Sequence, residues 1–126
     1  MNRFVDSNVI IFAFTNSPQK QKCRNILIEG NLITNTLVLL ESYAKIATIN
    51  SEIYARATIR NILSSANITI VDFTNNLFFE SIKRSQKHNL KISDLAHYTT
   101  ALLNNCSEII SYDTHFDDLD IKRVEP

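Results

Sequence analysis

Four acids from four separate stretches carry the chemistry this chain can offer. Asp6 lies in Phe4-Val5-Asp6-Ser7-Asn8 and Glu41 follows Leu39-Leu40. Asp94 lies in Ile92-Ser93-Asp94-Leu95, and Asp113 follows Ser111-Tyr112. Taken singly, each has an ordinary explanation. A Ser-Asp pair at a helix start is usually a cap, and Glu41 beside Leu40 reads as an edge residue facing water. Taken together they point elsewhere. Carboxylates a few ångströms apart repel by about 4 kcal/mol per pair at an effective dielectric of about 20. A fold that gathers them needs protons or cations to neutralise the cluster. Oxygen-only ligands suit hard divalent ions, Mg2+ or Mn2+, rather than zinc. Such ions activate water and stabilise charge on a phosphodiester. With one glycine in 126 residues, a Gly-rich phosphate loop is excluded, and no Ser-His-Asp arrangement competes.

The elements between the acids decide whether they meet. Arg3-Phe4-Val5 reads as a short buried strand that Asp6 ends, with Ser7 and Asn8 competent to cap a helical stretch over 9–14. After the turn Asn16-Ser17-Pro18, residues 19–29 read as a helix with Cys23, Ile26 and Leu27 inward, ended by Gly30. Leu32-Ile33-Thr34 is a second strand. Asn35 or Thr36 caps a helix to about residue 50 that carries Glu41, and another helix spans 51–65. Ile68-Thr69-Ile70-Val71 is a third strand, followed by a helix capped by Thr74 and reaching His88. Ser93 can cap the next helix. Its Leu95, Tyr98 and Leu102 form a buried stripe, with Asp94 in the first turn and His97 beside it on the other side. Ile109 to Ser111 deliver Asp113, residues 114–119 form a turn or short helix, and 121–124 an edge strand.

Strands separated by helices predict a three-layer α/β/α sandwich around a short, mostly parallel sheet with right-handed crossovers. Ligands of such sheets bind outside the carboxyl ends of the strands. Asp6 and Asp113 fall at those ends, and the helices bearing Glu41 and Asp94 begin on the same side. All four acids are expected to converge on one edge of a single domain spanning 1–126.

Composition bounds the partners. Lys+Arg and Asp+Glu are both 13, so the formal net charge is zero, and contact with nucleic acid must use local patches. Cys23 and Cys106 form neither a zinc signature nor a disulfide framework, which suggests a reducing cytoplasm. The first residues lack the apolar core of a signal peptide, and no apolar run is long enough to span a bilayer.

At these residues the sequence resembles the PIN-domain ribonucleases, especially VapC-type toxins. Phe4-Val5-Asp6-Ser7-Asn8-Val9-Ile10 is similar to that family's opening, and Glu41 stands where the family has its helical Glu. Asp94-Leu95-Ala96-His97-Tyr98-Thr99-Thr100-Ala101-Leu102 resembles the family's Asp-helix, and Ile110-Ser111-Tyr112-Asp113-Thr114-His115-Phe116 its closing Thr-x-Asp-x-x-Phe stretch. The resemblance covers nearly the whole chain in the right order. It implies a PIN-like fold and a ribonuclease in which Asp6, Glu41, Asp94 and Asp113 hold Mg2+ or Mn2+, directly or through waters. Ser7, Asn8 and Ser111 would support those carboxylates by hydrogen bonds. His115 departs from the pattern, since an acid is common there; Asp117 or Asp118 are the substitutes. The resemblance also implies an RNA substrate and a small VapB-like antitoxin as partner.

His97 and Lys91 are candidate substrate contacts, with a structural role and a solvated surface as their ordinary readings. The apolar arc around Phe78 and Phe79 suits a homodimer. Three other functions compete: a PIN-fold RNA-processing nuclease outside any toxin–antitoxin pair, a non-catalytic RNA-binding scaffold, and an aspartyl phosphatase using Asp6 as nucleophile. The last wants an acid two residues after its Asp, where this chain has Asn8.

Overall fold

The computed structural model describes residues 2–126. β1 (Arg3–Val5), β2 (Leu32–Asn35), β3 (Ile68–Val71), β4 (Glu108–Ile110) and β5 (Lys122–Val124) form one sheet in the order β3-β2-β1-β4-β5, with every pairing parallel. A parallel sheet covered on both faces favours unbroken apolar runs; Phe4, Val5, Ile109 and Ile110 accordingly sit in the core. The chain steps from β1 to β2 to β3 in one direction, then returns to place β4 on the far side of β1. Right-handed crossovers then put the first helices on one face and the last two on the other. Of α1 (Ser7–Ala13), α2 (Lys20–Leu27), α3 (Thr36–Ile49) and α4 (Glu52–Leu63), α1 packs on both α2 and α3, and α3 on α4, whereas α5 (Asn75–Arg84) and α6 (Ile92–Leu103) pack on each other. This is the predicted three-layer sandwich, with a sheet that is parallel throughout.

The local differences have local causes. Asp6, rather than Ser7 or Asn8, occupies the N-cap of α1. Asn35 caps α3 by accepting from the Val38 N–H at 2.8 Å. α5 stops at Arg84 instead of running to His88, because the Ser85 hydroxyl takes the Ile82 carbonyl and the Lys87 and His88 amides both return to Arg84. Ser93 does not cap α6. Lys91 holds the N-cap position without a side-chain bond, and the Leu95 amide closes the first turn on the Lys91 carbonyl. α6 is also more than an amphipathic stripe. Residues Asp94 through Ala101 are all buried, while Leu102 is only partly so. Wedged between sheet and α5, this helix has almost no solvent face.

Candidate active site

The strand order reverses between β1 and β4, and such a switch point opens a crevice at the carboxyl ends of the two strands. Asp6 follows β1 and Asp113 follows β4, so the topology alone delivers two acids to one crevice. The Asp6 amide donates to the Ile110 carbonyl at 3.1 Å and closes the floor.

Ser111 joins the two strand ends. Its hydroxyl donates to Asp6 Oδ2 at 2.7 Å and accepts from the Asn8 side-chain amide and from the Asp113 N–H, both at 3.0 Å. One O–H and two lone pairs are thereby used in full. Asn8 also donates to Asp6 Oδ2 at 3.3 Å and accepts from the Tyr112 N–H at 3.2 Å. Ser7 gives its backbone N–H to Asp6 Oδ1 at 2.8 Å. Burial still dominates, and the Asp6 carboxyl lies above its ordinary value despite the nearby His97 and these hydrogen bonds.

Glu41 reaches the crevice from the second turn of α3. His97, only 1% exposed, meets it from α6 with Nε2 2.9 Å from Glu41 Oε1. The tautomer follows from the cap of α3. Asn35 Oδ1 is taken by the Val38 N–H, so its amide nitrogen faces inward, donating to Thr100 Oγ1 at 2.9 Å and to His97 Nδ1 at 3.2 Å. Because His97 Nδ1 accepts, Nε2 carries the proton and donates to Glu41. Burial raises the Glu41 carboxyl, but the hydrogen bonds from His97 and from the Ser7 side chain outweigh it, leaving a value below normal. With both ring nitrogens engaged and the ring buried, His97 has no face for a substrate; it orients Glu41.

Asp94 stands in the first turn of α6 and is 9% exposed. Its Oδ2 is buried and accepts no hydrogen bond. Burial first, then the charges of Asp113 and Asp6, push its carboxyl above the ordinary value. Asp113 caps the 3-10 turn Thr114–Phe116 by accepting from the His115 N–H at 2.9 Å. Ligand atoms of Asp6, Glu41 and His97 lie within 4.8 Å of one another, as do those of Asp94, Asp113 and His115. The second trio includes a histidine that sequence reasoning treated only as a departure; the signal was Asp113-x-His115 at the end of a strand. Asn35 was likewise read only as a cap. Asp117 does not join the acids, being turned 2.8 Å from Arg123 Nε, and Asp118 is exposed with a φ of 65°. Lys91 is exposed and lines, with Asn89, Leu90 and His115, a hollow of about 300 Å³ at the rim.

A buried carboxylate oxygen without a donor, among carboxyls that raise one another's affinity for positive charge, fits a divalent cation. Asp94 and Asp113 offer the hard oxygen donors such an ion takes, with the Asp6 charge near enough to raise the Asp94 carboxyl.

Fold and site define a class: the chain belongs to the PIN domain family, which it matches over residues 3–122. No curated protein matches it in sequence. Among solved structures it is similar to VapC20 of Mycobacterium tuberculosis, described as a Sarcin-Ricin loop cleaving toxin. The two are 14% identical with a TM-score of 0.84, over 98% of this chain and 99% of that one. A toxin–antitoxin complex from Klebsiella pneumoniae is 17% identical with a TM-score of 0.75, over 97% and 95% of the two chains. VapBC2 of Rickettsia felis, bound to a fragment of its promoter DNA, is 16% identical with a TM-score of 0.71, over 99% and 98%.

Proposed function

We propose that this protein is a metal-dependent endoribonuclease that hydrolyses RNA phosphodiester bonds, and that it is the toxin of a type II toxin–antitoxin pair. The observation that carries the reading is the pair of neighbouring clusters, Asp6 with Glu41 and Asp94 with Asp113, at the switch point of a PIN-domain sheet, with Asp94 Oδ2 left without a donor. Asp6, Asp94 and Asp113 would hold Mg2+ or Mn2+, with Glu41 acting directly or through water. When bound, the ion supplies Lewis acidity toward water and toward the phosphodiester. The chain's own residues prepare the site. Ser111 and Asn8 fix the Asp6 carboxylate, and the Asn35–His97 pair keeps Glu41 pointed into the crevice, ionised and able to accept a proton from water. Lys91 at the rim suits a phosphate of the incoming strand.

The toxin role draws on the likeness to toxin–antitoxin complexes. The partner is a small VapB-like antitoxin that silences the enzyme by placing an Arg against the acids, which a guanidinium neutralises bidentately. The setting is cytoplasmic, in keeping with two free, buried cysteines; no helix among the described residues is long and apolar enough to cross a membrane. Phe78, Phe79 and Ile82, all exposed on α5, form the surface of a homodimer. Purified, antitoxin-free protein is expected to cut single-stranded RNA with Mg2+ or Mn2+ and to stop when EDTA is added. Cleavage that persists in EDTA would remove the metal mechanism, and failure on diverse RNAs would leave a non-catalytic scaffold.

A further inference from the structure

We propose that His115 is a nitrogen ligand of the ion held at Asp94 and Asp113, and that the site therefore prefers borderline transition ions such as Co2+ over Mg2+. This rests on the metal site of the nuclease reading and adds to it a donor of different chemistry. Three observations lead there.

His115 Nδ1 lies 3.2 Å from Asp113 Oδ1 and 3.5 Å from Asp94 Oδ2. One nitrogen offers a single proton or a single lone pair, so it makes at most one well-aligned hydrogen bond between the two carboxylates. An ion placed among the three donor atoms, which lie within 4.8 Å of one another, is shared by all of them. The second observation is independent of the cluster's composition. Asp94 Oδ2 is buried and accepts no hydrogen bond, even though the imidazole stands 3.5 Å away. The buried oxygen thus has lone pairs left for a cation beside the ring. Third, the histidine is held where a ligand is needed. Its backbone N–H is tied to Asp113 Oδ1 at 2.9 Å, while the ring is 57% exposed and has no partner but these two acids among the described residues.

Donor chemistry then sets the preference. Mg2+ takes oxygen almost exclusively and gives up its waters reluctantly. Imidazole nitrogen favours ions further along the series from Mn2+ through Co2+ to Zn2+. A site with Asp94 and Asp113 alone would rank these ions mainly by charge and size. Adding His115 raises affinity for Co2+ and leaves Mg2+ nearly untouched. His97 cannot play this part, since Asn35 donates to one of its nitrogens and the other donates to Glu41.

The test is titration of the protein with Co2+ and with Mg2+ by calorimetry, alongside the visible absorption of the Co2+ form. Parent, His115→Ala and His115→Asp are compared, with melting curves run on each. The ring is mostly outside the core, so the variants are expected to fold. In His115→Ala, Co2+ affinity should fall by about tenfold or more, on the scale seen when a site loses an ordered donor, while Mg2+ affinity changes by less than about threefold. The Co2+ absorption should move to longer wavelength as a stronger-field nitrogen is lost. His115→Asp, which supplies a hard oxygen, should bind Mg2+ more tightly than the parent and show the same spectral shift. An unchanged Co2+-to-Mg2+ ratio and an unchanged spectrum would overturn the role of His115 and leave the nuclease reading standing. Absence of binding by either ion to the parent would overturn both.

Discussion

Asp94→Asn separates a metal ligand from a helix cap by the sign of its effect on stability. At the outer limit of 4.8 Å between the ligand atoms of Asp94 and Asp113, two unit charges at an effective dielectric of about 20 repel by about 3.5 kcal/mol. The Asp113 side chain is 30% exposed and His115 stands beside both acids, so screening reduces this to about 1–2 kcal/mol. The buried Asp94 Oδ2 accepts no hydrogen bond that the substitution could break. Loss of a carboxylate from the first turn of α6 costs about 0.3–1 kcal/mol of helix-dipole interaction. The net expectation for the metal-free protein is a gain of about 1 kcal/mol, or roughly 3–6 °C in Tm for a chain of this size.

The gain has a defined pH dependence. Burial, then Asp113 and Asp6, raise the Asp94 carboxyl above its ordinary value. The native state therefore holds that proton more tightly than the unfolded chain. The parent loses stability from this group as pH rises from the ordinary value to the raised one, and no further above it. The advantage of Asp94→Asn should be absent below the ordinary carboxylate value and complete once the pH exceeds the raised one. Saturating Mg2+ should stabilise the parent by about 2.7 kcal/mol at a hundred times Kd, and the variant much less. Thermal melts of both proteins in EDTA and in Mg2+, with a cleavage assay in parallel, provide the measurement. A variant that melts below the parent in EDTA, gains equally from Mg2+ and still cleaves RNA would refute the reasoning.

Two further outcomes are expected. Asn35→Ala removes the cap of α3 and the donor that fixes the His97 tautomer, which should cost about 1–2 kcal/mol in a urea melt and lower kcat more than it raises KM; a loss below about 0.5 kcal/mol would show that the network is not coupled to the fold. Phe79→Asp places a charge on a side chain that is 61% exposed, so the melting temperature should hardly change while sedimentation equilibrium shifts toward monomer; an unchanged mass would exclude the α5 face as the dimer surface.

What the sequence by itself determined is what near neighbours in the chain decide. The strand–helix alternation follows from apolar runs punctuated by Asp6, Asn35 and Thr74, because short polar side chains end strands and satisfy the free amides of the next helix. The approach of Asp6 to Asp113 was legible as well, since parallel topology sends the residue after every strand to the same edge. The helix start at Ile92 was not legible. Ser93 has the chemistry of a cap, but the packing of α6 between sheet and α5 draws the helix back to Lys91 and buries it nearly all round. The sequence places His97 off the apolar stripe, beside Asp94, and its full burial was not legible for the same reason: a helix buried on every side has no outer face for periodicity to reveal. The tautomer of His97 depends on Asn35, 62 positions away, and the hub of Ser111 on Asp6, 105 positions away. Such couplings leave no local pattern. Only the folded chain brings a cap, an imidazole and a carboxylate into one hydrogen-bonded line, and only there does His115 turn out to stand against the one buried carboxylate oxygen that lacks a donor among the described residues.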